Sequence, residues 1–220
     1  MSNTTIGISD ELAAYIVKVG TREPEVLARL RDETAEIPQH GMQIAPEEGA
    51  FLAMLVELTG ARRCIEVGTF TGYSSTAVAL ALPEDGLLVC CDVSEEWTAV
   101  ARRYWDRAGV AEKIDLRIAP AADTLDQLLA DGEQAAYDFA FVDADKTGYD
   151  GYYERLLRLV RPGGLIAFDN TLWGGKVLEQ DARDADTRAI QALNAKLADD
   201  ERVTLCLVPL ADGVTLARRR

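Results

Sequence analysis

EVGTFTGYSS, residues 66–75, decides the fold, because it joins an apolar run to a helix-length segment through a turn that carries two glycines. Gly68 and Gly72 let the backbone approach a ligand closely, and Ser74 offers a hydroxyl at the start of the next helix. The glycines are spaced GxxxG, whereas dinucleotide-binding folds use GxGxxG. Taken alone, the turn fits a small-molecule loop and an ordinary strand-to-helix connection about equally well.

The hydrophobic pattern on either side of this stretch predicts an α/β fold. Three helical segments come first, beginning near Ser9, Pro24 and Pro46, where capping residues or a first-turn proline stand. Short β-branched runs then alternate with amphipathic segments, which indicates a parallel sheet covered on both faces. The predicted strands are 63–67, 87–92, 114–118, 137–143 and 164–169, followed by a closing hairpin of 202–210 and 213–219. The predicted helices are 73–82, 94–108, 121–130, 149–160 and 184–199.

Length and charge limit the possible functions. The 220 residues fit a single domain, 1–220, and 23 basic against 37 acidic residues give a net charge of -14. Such a charge repels polyanions, so nucleic acid is not an expected partner. The N-terminus has neither a signal-peptide pattern nor a membrane span, which predicts a cytoplasmic protein without a membrane partner. The four cysteines lie in apolar runs without CxxC spacing and are expected to be buried free thiols: Cys64, Cys90, Cys91 and Cys206.

An acidic residue ends the second predicted strand, where an open parallel sheet binds its ligands. Asp92 stands twenty residues beyond Gly72, and a carboxylate there can accept both hydroxyl protons of a ribose. This position favours a nucleoside ligand. The loop has no middle glycine and no basic residue, which argues against a pyrophosphate and therefore against NAD.

Three oxygen-bearing side chains end the next two strands. Asp143, Asp169 and Asn170 suit a hard divalent cation, with Mg²⁺ favoured over Mn²⁺ or Ca²⁺ and zinc disfavoured. Asp169 and Asn170 also fit an ordinary turn after a strand. Lys146 follows Asp143 by three residues, so one helical turn would bring its amine beside the same ligand, although such lysines are more often solvated. The only histidine, His40, is left without an assigned role.

The chain as a whole resembles the class I S-adenosylmethionine-dependent O-methyltransferases, in particular the cation-dependent group that includes caffeoyl-CoA and catechol O-methyltransferases. The resemblance runs from about residue 40 to the C-terminus. Three stretches carry it, and they occur in the family's order: IEVGTFTGYSS, FVDADKTGYDGYY and RPGGLIAFDNTLWGGKV.

The resemblance implies roles for individual residues. It implies that the cofactor is held by Ile44, Glu66, Gly68, Thr69, Ser74, Asp92, Ala121 and Asp145. It also implies a metal site of Asp143, Asp169 and Asn170, a catalytic pair of Lys146 and Asp143, and Trp173 as a wall of the acceptor pocket. Phe70 and Tyr73 would pack near the cofactor, whereas Trp97 and Trp105 are expected only to pack.

The implied fold is a Rossmann-like, seven-stranded, mostly parallel sheet with an antiparallel C-terminal hairpin and extra N-terminal helices. Residues 1–60 would cover the acceptor site, and 61–220 would form the S-adenosylmethionine-binding core of a homodimer. The implied reaction moves a methyl group to a hydroxyl of a small aromatic vicinal diol. The plant enzymes have Asn where this chain has Gly174, so a coenzyme A thioester acceptor is left open. A methyltransferase for another acceptor, an NAD-dependent oxidoreductase and a noncatalytic nucleoside-binding scaffold are the alternatives.

Overall fold

The computed structural model describes residues 7–220, and its elements agree closely with the predicted ones. The helices are α1 (Asp10–Gly20), α2 (Glu25–Thr34), α3 (Pro46–Thr59), α4 (Tyr73–Ala81), α5 (Glu95–Ala108), α6 (Ala121–Ala130), α7 (Tyr149–Leu159) and α8 (Ala185–Asp199). The strands are β1 (Arg63–Val67), β2 (Leu87–Asp92), β3 (Ile114–Ile118), β4 (Tyr137–Val142), β5 (Val160–Phe168), β6 (Val203–Val208) and β7 (Val214–Arg219).

All seven strands form one sheet in the order β3-β2-β1-β4-β5-β7-β6. β1 pairs in parallel with both β2 and β4, whereas β7 runs antiparallel to its neighbours β5 and β6. The chain therefore leaves β1 toward one side of the sheet and returns toward the other side at β4. A crevice opens at such a reversal, beyond the carboxyl ends of the strands, and Gly68 and Asp143 lie there.

The predicted α/β sheet with its antiparallel hairpin is confirmed, with one difference at β5. Residue 160 was expected to end a helix and the strand to begin at residue 164, but Val160 already pairs with Tyr137. A register shift follows, where Gly163 has a φ of +83°. An irregularity of this kind lets a strand begin before the RPGG turn, and the hydrophobic pattern does not predict it.

Helices cover both faces of the sheet, and alternate side chains of each strand pack against them. Phe139 and Phe141 of β4 pack on the side of α3, α4 and α5, whereas Ala140 and Val142 pack on the side of α6, α7 and α8. All four are almost fully buried. Full burial of a large apolar side chain contributes about 1.5–3 kcal/mol, so this two-sided core fixes the strand ends that carry the polar residues.

The N-terminal helices differ in how firmly they pack. Leu27 and Leu30 of α2 are buried, and the Glu23 carboxylate before it accepts hydrogen bonds from Arg31 and from the Tyr73 hydroxyl of α4. α1 contributes no buried residue. Within residues 7–220 no helix is long and apolar enough to cross a membrane.

The cysteines are free thiols, as expected, but one prediction about them is wrong. Cys64, Cys90 and Cys91 are buried, whereas Cys206 is exposed. The apolar pattern of β6 suggested a buried strand. β6 lies instead at the edge of the sheet, where most of its side chains face solvent.

Candidate active site

The glycine loop after β1 is tight because the ends of β1 and β4 approach each other closely. Gly68 has a φ of +91°, and a Cβ atom at this position would lie 1.9 Å from the carbonyl oxygen of Asp143. At Gly72, with a φ of +89°, a Cβ atom would lie 2.6 Å from the Cβ of Ala101. Both positions therefore need glycine for conformation and for space.

Asp92 holds this loop in place. Its Oδ2 accepts hydrogen bonds from the backbone N–H groups of Thr69, at 2.9 Å, and Phe70, at 2.8 Å. Its Oδ1 accepts the N–H of Ser94 at 2.8 Å. The carboxylate predicted to contact a ribose is thus fixed by the backbone of the glycine loop, so the two parts of a nucleoside site form one rigid unit.

A cavity of about 1020 Å³ opens at the carboxyl ends of the strands and brings nearly all the predicted site residues together. The predicted residues that line it are Ile44, Gly68, Thr69, Phe70, Tyr73, Ser74, Asp92, Ala121, Asp143, Asp145, Lys146, Asp169, Asn170 and Trp173. Of the N-terminal segment, it is lined by residues 41–45 and Glu48. His40 is exposed and does not line the cavity.

Glu66 is the predicted site residue that does not line the cavity. It lies on β1 beneath the glycine loop and is 1% exposed. Neither carboxylate oxygen has a hydrogen-bond partner within bonding geometry, although the hydroxyls of Ser74 and Thr69 lie close enough to have a partial effect. Burial therefore dominates and raises its pKa to about 8.

Lys146 is the centre of a buried polar cluster, and it is 7% exposed. Its Nζ donates hydrogen bonds to Asp143 Oδ1 at 3.0 Å, to Asn170 Oδ1 at 2.5 Å and to the Tyr149 hydroxyl at 2.7 Å. All three donors of the ammonium group are used. The amine thus meets oxygen atoms from the ends of β4 and β5, and it lies 5.6 Å from the centre of the Trp173 ring.

Asn170 is oriented toward this cluster by its neighbour. Its backbone N–H donates to Asp169 Oδ1 at 2.5 Å, and its side-chain amide donates to Asp169 Oδ2 at 3.1 Å. The amide oxygen is thereby left to face Lys146. The residue has a φ of +57°, a conformation that asparagine tolerates better than most residues.

Two buried carboxyl groups next to this cluster have strongly raised pKa values. Burial, and then the charge of Asp143, raises the pKa of Asp169 to about 7. Glu48 of α3 is 1% exposed and lies against Asp169. Its burial, and then Asp169 and Asp143, raise its pKa to about 10. Carboxyl groups so crowded with like charge favour a nearby cation.

The side chains present fit a divalent cation. Oxygen atoms of Asp143 and Asn170 already converge on one positively charged atom, and the Asp169 carboxyl lies beside them. Among residues 7–220 no group of three or more His, Cys, Asp or Glu side chains has the arrangement of a metal site. The predicted set has two carboxylates and one amide, and its oxygen-only chemistry suits a hard ion.

Several cavity residues have no counterpart in the sequence-based prediction. Trp97, which was expected at a core or rim position where it only packs, contacts Phe70 with ring centres 5.1 Å apart and also lines the cavity. Trp105 does only pack, because it is buried and its indole N–H donates to Ser75. Tyr152 donates to Asp145 Oδ1 at 2.6 Å. Glu48 lies in the first turn of α3, where acidic residues are common, and no local signal distinguishes it.

Comparison with known sequences assigns these features to a family. A family described as O-methyltransferase matches residues 17–220. The chain is 49% identical to caffeoyl-CoA O-methyltransferase 2 of Zea mays, covering 96% of this chain and 83% of that protein. It is 46% identical to tricin synthase 1 of Oryza sativa subsp. japonica, covering 99% of this chain and 91% of that protein.

Solved structures show the same fold with the cofactor bound. The O-methyltransferase TomG of Streptomyces achromogenes, in complex with SAM, is 31% identical with a TM-score of 0.86, covering 95% of this chain and 96% of that one. An O-methyltransferase of Bacillus cereus in complex with SAH is 28% identical with a TM-score of 0.88, covering 96% and 97%. The Rossmann-like methyltransferase fold predicted from the sequence is thus confirmed.

Proposed function

Because the chain belongs to the O-methyltransferase family and uses S-adenosylmethionine, we propose that it methylates a hydroxyl of a small aromatic vicinal diol with the help of a divalent cation. The observation that carries the proposal is the cluster of Asp143, Asn170 and Lys146, whose polar atoms meet within 3.0 Å. This cluster lines the same cavity as Asp92 and the glycine loop. Groups for binding two adjacent oxygens thus lie beside the cofactor-binding loop.

The chain's own residues divide the cavity between donor and acceptor. The donor end would be formed by Asp92, Ala121, Asp145 and the glycine loop, which line the cavity, and Asp92 would accept from a ribose while it holds the loop. Trp173 provides an aromatic face beside Lys146, suited to a flat acceptor ring. S-adenosylmethionine supplies the electrophilic methyl group. Holding donor and acceptor in fixed positions can lower a transfer barrier by several kcal/mol, up to about 10.

Asp143, Asp169 and Asn170 would hold the cation. A divalent ion supplies a strong downward shift in the pKa of a phenol hydroxyl, which is otherwise about 10. Lys146 is the only basic side chain among the described residues that line the cavity, and we assign it to accept or steer the proton that leaves the acceptor. Its three hydrogen bonds fix the position of the amine relative to Asp143 and Asn170. As the proton acceptor it would be the neutral amine, which has two N–H groups and could donate only two of the three hydrogen bonds.

The test is the variant Asp143→Asn. We expect it to lose cation-dependent methylation of catechol by about 100-fold or more, and to lose Mg²⁺ binding in calorimetric titration, because it removes one of two carboxylates from the site. Asp150→Asn is the matched control, since Asp150 is exposed on α7. Unchanged Mg²⁺ affinity and turnover in Asp143→Asn would refute the metal assignment.

The alternatives differ in their support. The oxidoreductase and the noncatalytic scaffold are not supported, since the similar proteins are named as methyltransferases. The choice of a vicinal diol over other small acceptors rests on the proposed cation, which would bind both of the adjacent hydroxyl oxygens. The homodimer, the cytoplasmic location and the cover of the acceptor site by residues 1–60 stay predictions.

A further inference from the structure

We propose that the acceptor pocket discriminates by charge: it excludes coenzyme A thioesters and takes a small diphenol without phosphate groups, preferring a cationic side chain to an anionic one. This inference rests on the proposed function and specifies its substrate class. The maize relative is named for a coenzyme A thioester. The residues around this cavity do not suit such a polyanion.

The cavity is lined by acidic side chains and a single base. Among the described residues, the carboxyl and amino side chains that line it are Glu48, Asp92, Asp143, Asp145, Lys146, Asp169, Asp186 and Asp212. Lys146 is 7% exposed and is occupied by Asp143 and Asn170. Residues 1–6 contain no lysine or arginine. A coenzyme A thioester carries a pyrophosphate and a phosphate monoester, and recognition of such groups relies on Arg and Lys side chains.

We assign the discrimination to the rim acids, meaning the acids of the lining that neither the proposed cation nor the donor would use. Asp143 and Asp169 would be neutralised by the proposed cation, and Asp92 and Asp145 lie at the donor end. Apart from the buried Glu48, the acids left over are Asp186, in the first turn of α8, and Asp212, in the link between β6 and β7. Both side chains line the same cavity as Trp173, so they would act on the charge of a substituent carried by a ring held against Trp173.

Asp212 belongs to the wall that carries Trp173. Its Oδ1 accepts the backbone N–H of Gly174 at 2.6 Å, and its backbone carbonyl accepts the N–H of Leu172 at 2.9 Å. Its carboxylate is thereby fixed next to the aromatic face. Asp186 is exposed and makes no such contact, so it can be changed without altering the wall.

A second lysine beside this wall does not line the cavity. Lys176 Nζ lies 5.9 Å from the centre of the Trp173 ring, but the side chain is exposed and also faces Asp184. Asp184 caps α8 by accepting the N–H of Thr187. Arg183 and Arg188 flank this segment in the chain, but like Lys176 they do not line the cavity, whereas Asp186 and Asp212 do.

A second observation inside the pocket agrees with a preference for cationic over anionic acceptors. Glu48 is 1% exposed and lines the cavity, and its Oε1 has no hydrogen-bond partner. A buried oxygen that lacks a donor is suited to a hydroxyl or ammonium group of a ligand.

The test compares four acceptors that share the same diphenol ring: dopamine, catechol, hydrocaffeate and caffeoyl-CoA. Their binding is measured by calorimetry on the enzyme loaded with S-adenosylhomocysteine and Mg²⁺, and their kcat/KM is measured with S-adenosylmethionine. We expect dopamine to exceed hydrocaffeate by about tenfold in both measurements, because two rim charges act on each substituent in a partly exposed site. Caffeoyl-CoA is expected to be the weakest of the four.

The variant Asp186→Lys tests whether the rim acids cause the preference for dopamine over hydrocaffeate. It should bring dopamine and hydrocaffeate to within about threefold of each other, whereas Asp181→Lys, which changes the net charge equally at an exposed residue outside the cavity, should leave the ratio as it is. The inference fails if caffeoyl-CoA binds as tightly as catechol, or if Asp186→Lys leaves the ratio unchanged. Binding in the expected order without methylation of any diphenol would instead refute the proposed function and leave the inference standing.

Discussion

At the scale of single residues, Lys146 connects the ends of the two strands that carry the proposed metal ligands. Its amine is hydrogen-bonded to residues at the ends of both β4 and β5. From the sequence alone, Lys146 could only be placed one helical turn after Asp143, and lysines at such positions are mostly solvated. Its burial depends on the pairing of β4 with β5 and on Tyr149 beneath it, and no short-range pattern encodes those contacts.

We predict that Lys146→Met lowers kcat for methyl transfer by about 100-fold, because a positioned proton acceptor contributes about that much or more. S-adenosylhomocysteine affinity, measured by calorimetry, should stay within about twofold of wild type, since the amine lies outside the donor end. Lys176→Met is the control, being a lysine beside the same tryptophan but exposed. A Lys146→Met enzyme with wild-type kcat would leave the residue with a structural role only.

Glu66 gives a pH-dependent prediction. Burial raises its folded-state pKa to about 8, above the value of about 4.3 for an unfolded chain. As pH rises through this window, the unfolded chain gives up the proton first, so the free energy of unfolding falls by up to about 1.4 kcal/mol per pH unit. Glu66→Gln should remove this contribution between pH 5 and about 8.

The measurement is urea denaturation of the cofactor-free protein across that pH range. Glu57→Gln, at an exposed position on α3, should follow the wild-type curve. The raised pKa values of Glu48 and Asp169 are common to all three proteins, so the difference between curves isolates Glu66. Parallel curves for Glu66→Gln and wild type would mean that this carboxyl is ionised in the folded protein.

At the scale of elements, the sequence predicted the glycine loop, but it did not predict the backbone contact that requires glycine at position 68. The sequence indicated a close backbone approach to a ligand at Gly68. The structure adds that the nearest obstacle is the Asp143 carbonyl of the neighbouring strand end. A neighbour 75 residues away in the chain is set by the strand order, which the alternating pattern leaves open. The early start of β5 and the exposed Cys206 have the same origin in sheet position.

We predict that Gly68→Ala costs more than about 3 kcal/mol of folding free energy, because it adds a clash with backbone to a left-handed conformation. Gly132→Ala is a matched control: its φ is +86°, but no atom lies within 4 Å of the added Cβ. That variant should lose only about 1–2 kcal/mol, the cost of the backbone conformation. Chemical denaturation compares the two, and equal losses would show that the close approach to Asp143 is relieved without cost.

At the scale of the whole molecule, the order of elements and the carboxyl-end crevice could be predicted from the alternation of strands and helices, and nearly every predicted site residue lines one cavity. Trp97 and Glu48 could not be predicted, since both are on helices whose patterns resemble ordinary packing. Their part in the cavity follows from how α3 and α5 dock against the sheet. Local sequence patterns thus predict the site residues at the strand ends, whereas the site residues on helices depend on how the whole chain packs.

Ligand-induced stabilisation tests the molecule as a whole. A ligand that binds only the folded state at about 100 times its Kd adds about 2.7 kcal/mol to the free energy of unfolding, which raises Tm by several degrees for a domain of this size. We expect S-adenosylhomocysteine to give this shift and NAD to give none, since the GxxxG loop has no place for a pyrophosphate.

Asp92→Asn should reduce the shift, because it weakens both the ribose contact and the loop that Asp92 holds. Asp106→Asn, exposed on α5, should keep it. A shift with NAD equal to that with S-adenosylhomocysteine would mean that the pocket tolerates a dinucleotide, and the reading of the glycine spacing would then be wrong.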